Sequence, residues 1–198
     1  MLKPKTLIML IDFEGRPIMG DEMTNELRYS YLKGLLFNGV DDPIYDLLIV
    51  SDQTDKHTKM NELKKMSDLE GKHQWLNIDP DDGTGVEDII NMVSMFGYEI
   101  QNVVVGGCNT VGCIFNSTPY SSCAWAKRGF PVQIFLPMCA DYQMSGLNQI
   151  EQNMMAFSDL YNAIKKNDVV NEVDPISRLS AIWLDPELKY ETIRGIGE

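Results

Sequence analysis

Short, continuous apolar runs recur along this chain of 198 residues. Strands covered by helices on both faces show such unbroken runs, whereas half-exposed strands alternate apolar and polar residues. The pattern therefore predicts buried parallel strands. The four strongest runs and one weaker run lie at 6–12, 45–52, 102–107 and 131–137, and at 74–78.

Stretches with helical spacing of apolar residues separate or follow these runs, and a glycine ends three of them, as helix C-terminal caps often do. This alternation predicts a three-layer α/β/α, doubly wound, Rossmann-like fold with a central, mainly parallel sheet. Right-handed crossovers would place the C-terminal ends of the strands along one edge, where such folds bind ligands. The predicted helices cover 21–39, 85–97, 113–129 and 145–167.

The length suits one such domain, which we expect over residues 1–167. Residues 168–198 are more polar and contain two prolines, so we expect an extension that packs on the domain or on a neighbouring subunit. Because 29 acidic residues outnumber 17 basic ones, for a net charge of −12, we expect neither a nucleic-acid nor a membrane partner. Four cysteines and no evident secretory leader favour a cytoplasmic protein with reduced thiols.

The stretch VVVGGCNTVGCIF, residues 103–115, places Cys113 where a buried strand gives way to a predicted helix. A helix N-terminus favours the thiolate, and the N–H groups of the same turn can bind a developing oxyanion. Cysteine is also a common small core residue. Cys113 is therefore either a nucleophile or a residue that fills a tight corner.

Asp12 ends the first apolar strand, where a carboxylate is costly to bury without a partner. It could serve as a general base that takes a proton from a thiol. It could equally cap the turn that Gly15 and Pro17 indicate.

Three segments together resemble the isochorismatase-like cysteine hydrolases, a family that includes the nicotinamidases. They are LIMLIDFEG, GGCNTVGCIFNST and GFPVQIFLPMCADY. Asp12 falls on the family's catalytic aspartate, and the resemblance extends over about residues 5–165. The positions that match the family's strand, turn and Ala-Asp pattern are Gly107, Thr110, Cys113, Gly129, Ala140 and Asp141.

The resemblance implies that Cys113 attacks an amide-type carbon and that Asp12 is its base. It also implies an oxyanion-binding turn formed by Asn109, Thr110 and Gly112, with a cis peptide bond between Asn109 and Thr110. The family's third catalytic residue is a lysine, which by spacing would fall within residues 74–82, a segment without lysine. Lys72, just before it, is the candidate replacement.

Nicotinamidases bind a metal through an Asp-x-His pair, and Asp52 matches the aspartate, but Thr54 stands in place of the histidine. We therefore expect no metal and no other cofactor. The alternative is a metal held by Asp52 with His57 and His73, the two histidines of the chain. The expected pocket walls are Phe13, Trp75 and Phe115.

The leading hypothesis is thus a homo-oligomeric hydrolase, a dimer or tetramer, that cleaves a C–N bond of a small molecule. One alternative is a catalytically impaired binding or structural protein that lacks the lysine. Another is a redox-sensing thiol protein in which Cys108 or Cys139 resolves an oxidised Cys113.

Overall fold

A computed structural model gives the fold of most of the chain. It describes residues 2–13, 22–36, 47–51, 62, 65, 74–79, 82–140, 147, 151, 154–155, 158, 162, 179–183 and 191–194.

One seven-stranded sheet forms the centre of the described structure, with the strand order β3-β2-β1-β4-β5-β6-β7. The first five strands in that order pair in parallel, and they overlap all five predicted strands. This confirms the predicted fold class. The bounds of β1 to β7 are Lys3–Ile11, Leu47–Ser51, Gln74–Asn77, Tyr98–Cys108, Val132–Ala140, Leu179–Trp183 and Glu191–Arg194.

Alternate residues of β1 pack into two separate apolar clusters, one on each face of the sheet. Leu7, Met9 and Ile11 belong to the first cluster, whereas Ile8 and Leu10 belong to the second. Full burial of such a side chain stabilises the fold by about 1.5–3 kcal/mol. The apolar run of β1 is unbroken because both faces of this strand are covered.

Helices cover both faces, which gives the predicted three layers. Helix α1, Glu22–Leu36, buries Tyr29, Leu32 and Leu36 in the second cluster. The first cluster is covered by α2 (Val86–Met95), a π-helix (Thr110–Ser117) and α3 (Ser122–Lys127). The helical residues at 151, 154–155, 158 and 162 fall within the helix predicted over 145–167.

The prediction of one helix over residues 113–129 is wrong, because two helices occupy this stretch. The π-helix ends at Ser117, and Thr118 is extended, with φ −102° and ψ 152°. Proline disfavours helical backbone in the residue before it, so Pro119 explains the break.

The C-terminal region adds two strands to the sheet edge. Strand β6 pairs in parallel with β5, with Leu179 opposite Val132, and β7 pairs antiparallel with β6. The sequence pattern did not predict these strands. No helix in the part of the chain that the structure describes is both long and apolar enough to cross a membrane.

Candidate functional site

The C-terminal ends of β1 and β4 lie side by side, with Ile11 opposite Gly107. Asp12 follows the end of β1 and Asn109 follows the end of β4, on strands about 4.8 Å apart. Gly107 has φ +149°, and a Cβ there would lie 1.7 Å from the carbonyl oxygen of Ile11. Only glycine fits position 107. Gly107 therefore allows β1 and β4 to approach closely, which brings Asp12 beside the turn that follows β4.

Asp12 and Asn109 share an uncommon backbone conformation. Within the described ranges they are the two non-glycine residues with positive φ, at 47° and 62°. Asp and Asn tolerate the left-handed region better than other side chains do, but it still costs about 1–3 kcal/mol. Such residues concentrate at functional sites, and these two lie at neighbouring strand ends.

Asn109 also caps the π-helix that carries Cys113. Its side-chain Oδ1 accepts a hydrogen bond from the Gly112 N–H at 3.0 Å. A Cβ on Gly112 would lie 2.4 Å from Asn109 Nδ2, so glycine is needed for this contact. The Asn109 side chain and the Gly112 backbone therefore hold each other in position. Thr110, which lies between them in the chain, is buried.

The expected cis bond between Asn109 and Thr110 is wrong, since the described residues contain no cis peptide bond. The left-handed backbone of Asn109, with ψ 73°, redirects the chain from the strand into the helix instead.

Cys113 lies in the first turns of the π-helix and is half-buried, whereas Cys108, Cys123 and Cys139 are buried. Asn109 Nδ2 lies 3.9 Å from Cys113 Sγ and donates towards it. The Ile114 N–H donates to the Asn109 carbonyl at 3.2 Å, an i to i+5 bond that defines the π-helix. Single π-turns occur often at functional sites. The partial positive charge of this helix end favours a thiolate.

Cys123 provides a contrast within the same chain. Burial raises the pKa of its thiol to about 11, with a smaller opposing effect of Lys127. A thiol in that environment stays protonated and unreactive near neutral pH. Cys123 also lies in the first turn of a helix, α3, so greater exposure is what distinguishes Cys113 from it and from the other buried cysteines.

The three residues predicted as pocket walls are divided between the two core clusters, one on each face of the sheet. Phe13 is fully buried and makes an edge contact with Tyr29, with ring centroids 5.5 Å apart. Trp75 is half-buried against the same cluster, whereas Phe115 is buried in the cluster on the other face. Their role in substrate binding stays a prediction.

Sequence reasoning missed Arg28, whose side chain is 1% exposed although it lies on α1. Its Nη1 lies 2.6 Å from Cys108 Sγ, and its guanidinium carbon lies 5.4 Å from the centre of the Phe13 ring. Burial also raises the pKa of the neighbouring Tyr29, an effect that Arg28 partly opposes. A signal was present, because Arg28 precedes Leu32 and Leu36 at four-residue spacing and so shares their buried stripe.

Several predicted site residues fall outside the described part of the chain. They are Lys72, Asp52, His57 and His73. Among the residues that the structure describes, no three His, Cys, Asp or Glu side chains form a group that could hold a metal ion. The replacement lysine and the alternative metal site therefore stay predictions.

Comparison with known proteins gives matches of structure only. No family model matches the sequence, and no curated protein matches it. Among solved structures, the nicotinamidase of Staphylococcus aureus superposes with a TM-score of 0.50 at 11% identity, covering 83% of this chain and 94% of that one. This chain has the fold of a nicotinamidase. At this identity the similarity concerns the fold alone.

Two further solved structures superpose less well. The nicotinamidase/pyrazinamidase of Bacillus subtilis has a TM-score of 0.46 at 13% identity and covers 81% of this chain and 97% of its own. The pyrazinamidase/nicotinamidase of Streptococcus mutans has a TM-score of 0.46 at 10% identity, with 81% and 98% covered.

Proposed function

We propose that this chain is a cysteine hydrolase that cleaves the C–N bond of a small amide-type molecule through a covalent intermediate on Cys113. One observation carries the proposal. Two left-handed residues, Asp12 and Asn109, lie at adjacent strand ends, and Asn109 caps the helix whose first turn holds the half-buried Cys113. The shared fold with a nicotinamidase is compatible with this chemistry and does not by itself establish it.

In the proposed reaction Asp12 takes the proton of the Cys113 thiol, and the sulfur attacks the carbonyl carbon. The tetrahedral intermediate collapses when the C–N bond breaks, and Asp12 returns the proton to the leaving nitrogen. Water then attacks the thioester with Asp12 as base. The C–S bond breaks, the carboxylic acid leaves, and Asp12 passes the proton that it took from water to the sulfur, which restores the thiol.

The turn would supply the donors that stabilise the oxyanion. Because the Gly112 N–H already donates to Asn109 Oδ1, Gly112 shapes the turn in this account. The Asn109 Nδ2 group, 3.9 Å from the sulfur, and the Cys113 N–H at the helix end are the proposed donors. Thr110 holds the backbone between them.

The proposal also covers the third catalytic residue, the cofactor, the compartment and the oligomeric state. Lys72 is the proposed third catalytic residue, and no cofactor is needed for the steps above. Four free cysteines suit the reducing cytoplasm. We further propose a homo-oligomer, a dimer or a tetramer, in line with the habit of the family that the sequence resembles.

A catalytically impaired binding protein is the second candidate, because residues 74–82 contain no lysine. The deciding experiment incubates the wild type and Cys113→Ala with a panel of small primary amides and measures ammonia release. The enzyme proposal predicts release by the wild type that the substitution abolishes, and a transient acyl adduct on Cys113 in intact-mass spectra. Saturable binding of an amide with no ammonia and no adduct would instead establish a binding protein.

A further inference from the structure

A buried positive charge lies beneath the candidate site. Arg28 is 1% exposed, and a guanidinium does not lose its proton in proteins. A charge removed from water is tolerated only where hydrogen bonds and opposite charge compensate for the lost hydration. The surroundings of Arg28 must therefore supply such compensation.

Cys108 is in direct contact with this charge. Its sulfur is 0% exposed and lies 2.6 Å from Arg28 Nη1. A neutral thiol is a weak acceptor, whereas a thiolate carries a full negative charge, and an adjacent arginine favours the thiolate. The aromatic face of Phe13 adds a cation–π contact to the same guanidinium.

We infer that Arg28 and Cys108 form a buried guanidinium–thiolate pair that positions the Cys113 turn. Cys108 immediately precedes Asn109, and Phe13 immediately follows Asp12. The pair and its ring contact therefore tie α1 to the chain neighbours of both left-handed residues. Arg28 is a positioning residue, since its action on Cys113 passes through Cys108 and Asn109.

Other ionisable groups lie near the pair, and the test must distinguish their titration from that of Cys108. Glu26 and Tyr29 lie near Arg28 on α1. Burial raises the pKa of Tyr29, Arg28 opposes this rise, and Glu26 and Cys108 add to it. Asp12 lies at the end of β1, and Cys139 of β5 lies opposite Gly107. The test therefore compares variants that differ only at Cys108 or Arg28.

The first test measures the ultraviolet absorbance of thiolate against pH in a Cys113→Ala background. Subtracting the curve of Cys113→Ala/Cys108→Ser isolates Cys108. The inference predicts that its thiolate persists well below about pH 8.5, the midpoint of an ordinary thiol. Adding Arg28→Met is expected to remove this band, and adding Arg28→Lys to retain it. A folded protein without a Cys108 thiolate below about pH 8.5 overturns the inference.

The second test asks whether negative charge at position 108 is what matters. Cys108→Ser and Cys108→Asp are similar in size and differ in charge. Cys108→Ser is expected to lower the melting temperature and to slow amide turnover by about a hundredfold, while Cys108→Asp restores both. A serine variant that matches the wild type, or an aspartate variant that is worse than serine, contradicts the pair. If neither Cys108 variant folds, the Arg28→Lys and Arg28→Met absorbance curves decide.

The effect on turnover rests on the proposed function, but the thiolate measurement does not. A wild type without amidase activity that still shows the Cys108 thiolate would refute the proposed function and leave the pair intact. An active enzyme in which Cys108 is a neutral thiol would refute the pair alone.

Discussion

Ile11 and Gly107 lie opposite each other in β1 and β4, and a single added carbon at position 107 would lie 1.7 Å from the Ile11 carbonyl oxygen. The clash is with backbone at the centre of the sheet, where neither strand can move easily. This contact sets how closely Asp12 and the Cys113 turn approach one another.

Gly107→Ala is therefore expected to destabilise the fold by about 4 kcal/mol or more, because it adds both this clash and a side chain at φ +149°. Gly34→Ala is the matched control. Gly34 lies within α1 with open space around it, so alanine there is expected to stabilise by about 0.5–1 kcal/mol. Urea unfolding of the two variants checks the prediction, and a mild effect at position 107 would contradict the close approach.

Asn109→Gly and Asn109→Ala separate the two roles of Asn109. Both remove the cap on Gly112 and the contact to Cys113 Sγ, so turnover is expected to fall by about a hundredfold in each. Alanine also keeps the strain of φ 62°, which glycine relieves. We expect the alanine variant to be less stable than the glycine variant by about 1 kcal/mol. Steady-state kinetics and thermal unfolding of both proteins measure these effects, and equal stability with normal turnover would refute both roles.

Asp12→Asn removes the proposed base and keeps a side chain that tolerates φ 47°. Turnover is expected to drop by about 10²–10⁴-fold, with a much smaller loss of stability. Single-turnover kinetics with an amide substrate would show the loss in the acylation step. If the asparagine variant turns over normally, Asp12 is only a structural residue.

The buried Cys123 thiol is expected to make the folded protein less stable in alkali. Its thiol has a pKa of about 11 when folded, above the value of about 8.5 for an exposed thiol, because of burial. The folded state therefore holds its proton more tightly than the unfolded state does. The contribution of the Cys123 thiol to the free energy of unfolding is complete below about pH 8.5. It is lost as the pH rises towards 11, by at most about 1.4 kcal/mol per pH unit.

The measurement is urea unfolding between neutral pH and moderately alkaline pH, comparing the wild type with Cys123→Ala. The wild type is expected to lose stability more steeply than the alanine variant above about pH 8.5. Parallel curves would show that Cys123 titrates normally in the folded protein.

The sequence predicted the parts of this structure that depend on local pattern. Unbroken apolar runs located five of the six parallel strands in the described structure, and the polar first half of β4 explains why its start at Tyr98 was placed too late. The glycines indicated a tight turn before Cys113, but the close approach of Gly107 to Ile11 of β1 joins residues far apart in the chain, and no local pattern indicates it.

Long-range features were harder to predict. The strands Leu179–Trp183 and Glu191–Arg194 exist because β5 offers a sheet edge, and nothing in their own pattern indicates this. Arg28 was missed because a single charge on a helix is usually solvated, and only its spacing from Leu32 and Leu36 indicated burial. The helix break at Pro119 could have been predicted from the sequence alone, because the residue before a proline disfavours helical backbone.

The most direct test of the central claim is the pH dependence of Cys113 alkylation, followed by mass spectrometry in the wild type and in Asn109→Gly. An activated nucleophile would react with a midpoint well below about pH 8.5, and loss of the Asn109 Nδ2 contact would raise that midpoint. A midpoint near pH 8.5 in both proteins would show an ordinary thiol that fills a corner of the fold, and Cys113 would not be a catalytic nucleophile.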